Sequence, residues 1–188
     1  MARYFGALTL VLLLGMVLVR VRLMKRRGIK ALKFGVIDKK DFLILPFALF
    51  YFYVVFAAAF GFAGIGSHAF FNSSAVSWLG VLFCAVGLSA LFLSLVSFGR
   101  SFRVGIDTDR PDRLVTTGIF AFSRNPIYVA FAIVLIGEFL IFANWILLTY
   151  AGGAFWLFHR QVLREEAYLA QQYGQEYLAY RKRVRRYL

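Results

Sequence analysis

Apolar residues in this chain come in long runs, and charged residues cluster between them. The first run, Tyr4 to Val19, is a little short of the roughly 20 residues a helix needs to cross about 30 Å of hydrocarbon. Arg20 and Arg22 follow it and can snorkel to extend it. Its basic cluster follows the apolar core, and no small-residue cleavage site is evident. That pattern predicts a retained anchor helix, not a signal peptide. The second run, Phe42 to Gly66, is long enough to span with tilt. Pro46 falls in its first turns, where a missing N–H does least harm. The third run, Ala75 to Phe98, carries no charge. The fourth, Ile127 to Phe158, is too long for one crossing and short for two. Glu138, Asn144 and Gly152-Gly153 interrupt it. It predicts two short helices in a tight hairpin that turns near Ala143-Asn144. The fold class expected is therefore all-α and integral to a membrane, with five transmembrane helices.

Composition narrows the class further. The chain is 61% hydrophobic and only 16% charged, against about 25% charged in a soluble domain. A soluble protein of 188 residues could not hide that much apolar surface. Disorder is excluded by the same hydrophobicity. The length suits one membrane domain, 1–188, divided into an N-terminal part (1–74, two helices and a basic loop) and a C-terminal part (75–188).

Charge then orients the helices. The net charge is +13, and nine Lys/Arg lie in 20–40, five Arg in 99–126 and seven Lys/Arg in 159–188. The segment Ser67 to Ser77 has none. Basic residues concentrate in cytoplasmic loops. The N-terminus is then outside, and the 99–126 loop and the tail share the cytoplasmic side. An inner (cytoplasmic) membrane and an endoplasmic reticulum membrane fit equally. The basic tail Arg181–Arg186 is most simply a patch for anionic lipid. With the positive-inside pattern accounting for the charge, no nucleic-acid partner is expected.

Several features carry little chemistry. Cys84 stands alone in an apolar run, and the only histidines, His68 and His159, are far apart, so no metal cluster is expected. Gly61, Gly64 and Gly66 form a G-x-x-G-x-G string without the strand–helix context of a dinucleotide site. Close helix packing explains it better. Glu138 is different, because an ionisable group within a membrane helix is functional by default. Two readings stay open: it lines a substrate pocket, or it reaches the outer interface near Asn144.

The candidate chemistry lies in the loop and the tail. The loop reads Leu114-Val115-Thr116-Thr117-Gly118-Ile119-Phe120, then Ser123-Arg124-Asn125-Pro126-Ile127-Tyr128. The tail reads Arg164-Glu165-Glu166-Ala167-Tyr168-Leu169, then Tyr173-Gly174-Gln175-Glu176-Tyr177 and Tyr180. In order and spacing, with a hairpin between, this resembles the isoprenylcysteine carboxyl methyltransferase family. The wider group includes phospholipid N-methyltransferases. The shared pattern is L-V-x-x-G-x-[YF], R-H-P-x-Y, then E-E-x-x-L-x-x-x-[FY]-G-x-x-Y-x-x-Y, and it covers about Phe98 to Tyr180.

The resemblance implies a membrane methyltransferase using S-adenosylmethionine, with its cofactor site built from loop and tail over the cytoplasmic helix ends. The acceptor is lipophilic or membrane-delivered and enters from the lipid side. Carried over, Gly118 and Phe120 match G-x-[YF]; Arg124, Pro126 and Tyr128 match R-H-P-x-Y; Glu165 and Glu166 match the paired glutamates. Asn125 stands where the pattern has histidine. Its amide can donate and accept hydrogen bonds but cannot titrate. Arg124, Asn125 and Tyr128 are the implied catalytic residues. They, with Gly118, Phe120, Pro126, Glu165 and Glu166, are the implied cofactor site. Lacking a base at 125, the chain leans toward an acceptor that is already nucleophilic, a carboxylate or thiolate over an ammonium.

The chemistry of the ligand agrees. Carboxylates suit hydroxyls and an ammonium, and an arginine suits a carboxylate. Plainer readings stand beside these: Glu165-Glu166 as a solvated helix start, Arg124 as a headgroup anchor, Tyr128 as packing. Two other functions also fit parts of the pattern. Sterol-type reductases, which use NADPH, look similar in their C-terminal membrane region but carry an R-D-type motif where this chain has paired glutamates. A small non-catalytic membrane protein would fit Glu138 alone.

Overall fold

The computed structural model describes residues 1–26, 44–62, 70–99 and 114–188. Among them are five α-helices and no strand: α1 (Ala2–Arg26), α2 (Ile44–Phe60), α3 (Ser74–Ser97), α4 (Pro126–Phe142) and α5 (Trp145–Arg183). A short 3₁₀ turn, Gly118–Ala121, precedes α4. Most of the basic loop 20–40, residues 100–113 of the 99–126 loop, His68, Gly64 and Gly66 lie outside the described residues.

By length and composition, α1 and α3 could each cross a membrane, while Pro46–Phe60 and Pro126–Phe142 are shorter apolar helices. The second helix is briefer than its apolar run predicts. Gly61 takes φ +75° just after it, and the Phe62 N–H returns to the Ala57 carbonyl at 2.8 Å. This six-residue closure is a Schellman stop, which needs a residue tolerant of positive φ.

The helices pack where small residues let backbones meet. A Cβ on Gly80 would lie 2.6 Å from the Gly137 carbonyl oxygen, and one on Gly87 would lie 3.0 Å from that of Ala130. These pairs run α3 antiparallel to α4. Between apolar helices, such close approach maximises van der Waals contact. Helix α1 lies along α3 in the same direction. Phe5 meets Trp78 near one end, and Met24 packs with Leu91, Leu95 and Ala130 near the other. A second apolar cluster gathers Leu10, Val54, Val55, Leu135, Leu147 and Ala151 from four helices.

Between α4 and α5 the chain turns through two residues. Ala143 adopts the left-handed conformation (φ 46°), and Asn144 caps α5 by accepting from the Ile146 N–H at 2.7 Å. Tyr128 and Phe131 then both contact Phe158, so α5 runs back along α4. The expected second short helix with a separate tail is corrected here. Helix α5 runs without interruption from Trp145 to the first backbone departure at Gly174 (φ 49°, ψ −122°). The stretch after Phe158 is rich in strong helix formers, and Gly152-Gly153 costs only about 1 kcal/mol per residue. Composition changes from apolar to polar near Phe158; conformation does not change until Gly174.

Candidate functional site

The site lies where the ends of α1 and α3 meet the start of α4 and the polar half of α5. The 3₁₀ turn seals it from one side. Gly118 has φ +65°, and a Cβ there would lie 2.5 Å from Ser97 Oγ, so both conformation and space call for glycine. Phe120 is buried against Phe98, with ring centroids 4.6 Å apart. The Tyr180 hydroxyl donates to the Phe120 carbonyl at 2.6 Å. This bond ties the loop to α5 from beyond the Gly174 departure.

Pro126 opens α4 in its first turn, with Asn125 at the cap position. Proline lacks the N–H that would go unbonded there. The result aims Arg124, Asn125 and Tyr128 at one face of α5. Arg124 donates from Nε and Nη2 to Glu166 Oε1, at 3.2 and 2.8 Å. Its Nη1 donates to the carbonyls of Arg181 and Val184, both at 3.0 Å. Asn125 Nδ2 donates to the same Glu166 oxygen and to the Arg186 carbonyl, both at 3.1 Å. A primary amide nitrogen carries two hydrogens and can bracket two acceptors; an imidazole nitrogen carries one.

The two adjacent glutamates have opposite surroundings. Glu166 is buried and clamped by cations on both oxygens, because Arg186 donates to Oε2 at 3.1 Å from Nε and pairs with it at 3.0 Å from Nη2. Burial raises its pKa, but the hydrogen bonds and charges of Arg186 and Arg124 outweigh that and hold it below the usual carboxylate range. Glu165 accepts on Oε1 from the Tyr128 hydroxyl at 2.7 Å and from Gln161 Nε2 at 3.1 Å. Both donors are neutral. Burial raises its pKa, and these two bonds only partly offset the rise. Gln161 and Glu165 stand one helical turn apart, so they share a face of α5.

Residues 184–188 fold back over this cluster. Beyond the carbonyls already named, the Arg124 N–H donates to the Arg185 carbonyl at 3.0 Å, and the Ser123 hydroxyl to that of Arg186 at 3.4 Å. His159 Nδ1 lies 2.8 Å from the Tyr187 hydroxyl. The buried Tyr177 hydroxyl has no hydrogen-bond partner among the described residues.

The structure therefore gathers Arg124, Asn125, Tyr128, Glu165 and Glu166 into one cluster, with Gly118, Phe120 and Pro126 shaping its wall. Glu138 is not brought to it. It lies ten residues beyond Tyr128 on α4, about 15 Å along the axis. There it is 0% exposed, with one oxygen against Gly6, so the solvated-interface reading is set aside. Its two oxygens have no hydrogen-bond partner among the described residues. Sequence reasoning missed Arg186, Gln161 and Ser123. Arg186 had been grouped with a lipid-binding patch, yet it is half of the clamp on Glu166.

The sequence model of the family described as phospholipid methyltransferase matches residues 75–176. Among curated proteins, the chain is 35% identical over 94 residues to a protein-S-isoprenylcysteine O-methyltransferase of Schizosaccharomyces pombe, covering 48% of this chain and 40% of that one. It is 30% identical over 115 residues to the Rattus norvegicus protein of that name, 58% of this chain and 40% of the relative. Against protein-S-isoprenylcysteine O-methyltransferase B of Arabidopsis thaliana it is 31% identical over 94 residues, 48% of each. The chain thus spans less than half the length of each of these three relatives. The family match takes in α3, the 3₁₀ turn, α4 and most of α5, which is where the glutamate–arginine cluster is built. By that match, over more than half its length, the chain belongs to the phospholipid methyltransferase family.

Proposed function

We propose that this chain is an integral-membrane methyltransferase that uses S-adenosylmethionine to methylate a lipophilic or membrane-delivered acceptor. The observation that carries the reading is the Arg124–Asn125–Tyr128 face held against Glu165 and Glu166. It lies within residues 75–176, the segment matched by the phospholipid methyltransferase family. The outward faces of α1 and α3 are apolar, with Leu8, Val11, Leu12, Leu82, Val86 and Phe92 all exposed. They support burial in a bilayer, with α2, α4 and the first part of α5 completing a five-helix unit. Arg20, Arg22, Lys25 and Arg26 end α1 at the same end as the cluster, which supports a cytoplasmic site.

The cluster suits this cofactor. Among the described residues, Glu165 has only neutral donors, Arg186 keeps N–H groups that none takes up, and the buried Tyr177 hydroxyl has no partner. A ligand carrying an ammonium, a carboxylate and hydroxyls complements all three. Adenosylmethionine, when bound, supplies a methyl carbon already activated by its sulfonium. The residues align it and exclude water. Glu165 faces the ammonium or ribose hydroxyls, with Tyr128 holding its carboxyl in place. Gly118 and Phe120 close the wall, Asn125 steadies Glu166, and Pro126 fixes the entry of α4. Glu138, deeper along α4, would line the acceptor's path. With no titrating group at 125, an acceptor that is already a carboxylate or thiolate fits better than an amine.

Calorimetric titration of adenosylmethionine and adenosylhomocysteine into the detergent-solubilised full chain tests this. Binding of both, weakened by Glu165→Gln in a protein of unchanged thermal stability, is the expected result. Folded protein that binds neither overturns the reading, and binding of NADPH in their place would make it a reductase.

A further inference from the structure

Arg124 is the arginine that the motif offers as partner for an anionic ligand group, but the structure has already engaged it. Four of its five N–H bonds go to Glu166 and to the carbonyls of Arg181 and Val184. Its side chain is 6% exposed. Arg186 differs on each point. Its side chain is 31% exposed; Nε donates to Glu166 Oε2, and Nη2 pairs with that same oxygen at 3.0 Å. A guanidinium has five N–H groups in a fixed plane, and both on Nη1 are without a partner among the described residues. Charge gives the same answer. Two guanidiniums face the single ionised carboxylate of Glu166, leaving one positive charge without a counter-ion in the clamp. Tyr177, on α5 close to that clamp, adds the second observation: a hydroxyl almost fully buried, with no partner among the described residues.

We infer that Arg186, together with the Tyr177 hydroxyl, receives the carboxylate of the cofactor's amino-acid end, and that Arg124 serves only to position Glu166. This rests on the cofactor reading above and names the group that reads the anion. Both groups lie in one short stretch, and Arg186 is beyond the segment matched by the family. The backbone bonds to Ser123, Arg124 and Asn125 hold Arg186 in register. Anion recognition is thereby built from a segment that composition alone presents as a basic tail.

The test compares two ligands across variants of the full chain. Adenosylmethionine and its decarboxylated analogue differ in the carboxylate alone. Calorimetry should show that Arg186→Gln weakens adenosylmethionine by about tenfold or more, with the decarboxylated analogue little changed. Arg186→Lys should recover part of the loss. Tyr177→Phe should also weaken adenosylmethionine selectively, without lowering the melting temperature, because the hydroxyl it removes has no partner among the described residues. Equal weakening of both ligands by Arg186→Gln would make Arg186 a support for Glu166 alone and overturn the inference. So would adenosylmethionine binding that Arg186→Gln leaves unchanged. Wild-type protein that binds neither ligand overturns the cofactor reading, and this inference with it.

Discussion

Glu165 and Glu166 are chemically identical neighbours in different surroundings, and the difference comes from what donates to each. Glu166 has guanidiniums on both oxygens and a lowered pKa; Glu165 has a phenol and an amide, and a raised one. The signs set a window. Stability from Glu166 is present above its unfolded pKa and is lost only as pH falls through its lowered folded value. Glu165 takes up its proton at a higher pH than an ordinary glutamate. Between the two values the clamp stays intact while Glu165 is neutral. Adenosylhomocysteine affinity should therefore fall, as pH is lowered, at a pH above the usual glutamate range and before any loss of fold. Glu165→Gln should flatten that limb when calorimetry is repeated across pH. At this scale the sequence was informative about the pair and about Arg124, because rare charges beside long apolar runs stand out. It was silent on Arg186, which sits in a basic string where every member looks alike. It was also silent on the depth of Glu138, since no periodicity tells which face of an apolar helix is buried.

Among the helices, α5 shows what periodicity cannot deliver. The shift from apolar to polar near Phe158 looks like the end of an element, yet hydrogen bonding continues because nothing there breaks a helix. The departure comes at Gly174, where φ 49° and ψ −122° suit glycine. No atom lies within 4 Å of a Cβ built there, so an alanine would suffer backbone strain alone. Gly174→Ala should cost about 1–3 kcal/mol and loosen the Tyr180 bond to Phe120, read as a lower melting temperature. Gly152 also has open space around its Cβ position but sits in regular helix. Gly152→Ala should instead stabilise by up to about 1 kcal/mol. Opposite signs from one substitution on one helix would locate the break by thermodynamics. The apolar runs marked α1 and α3 well, and the Ala143-Asn144 turn was legible from the polar Asn144. The early stop of α2 depended on Gly61, one glycine in a glycine-rich string.

Taken whole, the described helices put the start of α1, the start of α3 and the end of α4 at one end, and every residue of the glutamate–arginine cluster at the other. The charge distribution anticipated this polarity, because loop and tail were expected on one side. What sequence did not convey is that residues 184–188 complete the cluster, since main-chain carbonyls carry no sequence signal. Those carbonyls accept from Arg124 at both its side chain and its backbone.

That last bond makes a built-in clock. The Arg124 amide proton is held by the Arg185 carbonyl, so it can trade with solvent deuterium only when residues 184–188 lift away. In a hydrogen-exchange experiment its rate measures how often the segment opens. Adding adenosylhomocysteine should slow exchange at Arg124, and Arg186→Gln should quicken it in the absence of ligand. Amides in the middle of α3 should keep their own pace in both cases. One proton at the mouth of α4 would then time, from inside the protein, the opening and closing of its own site.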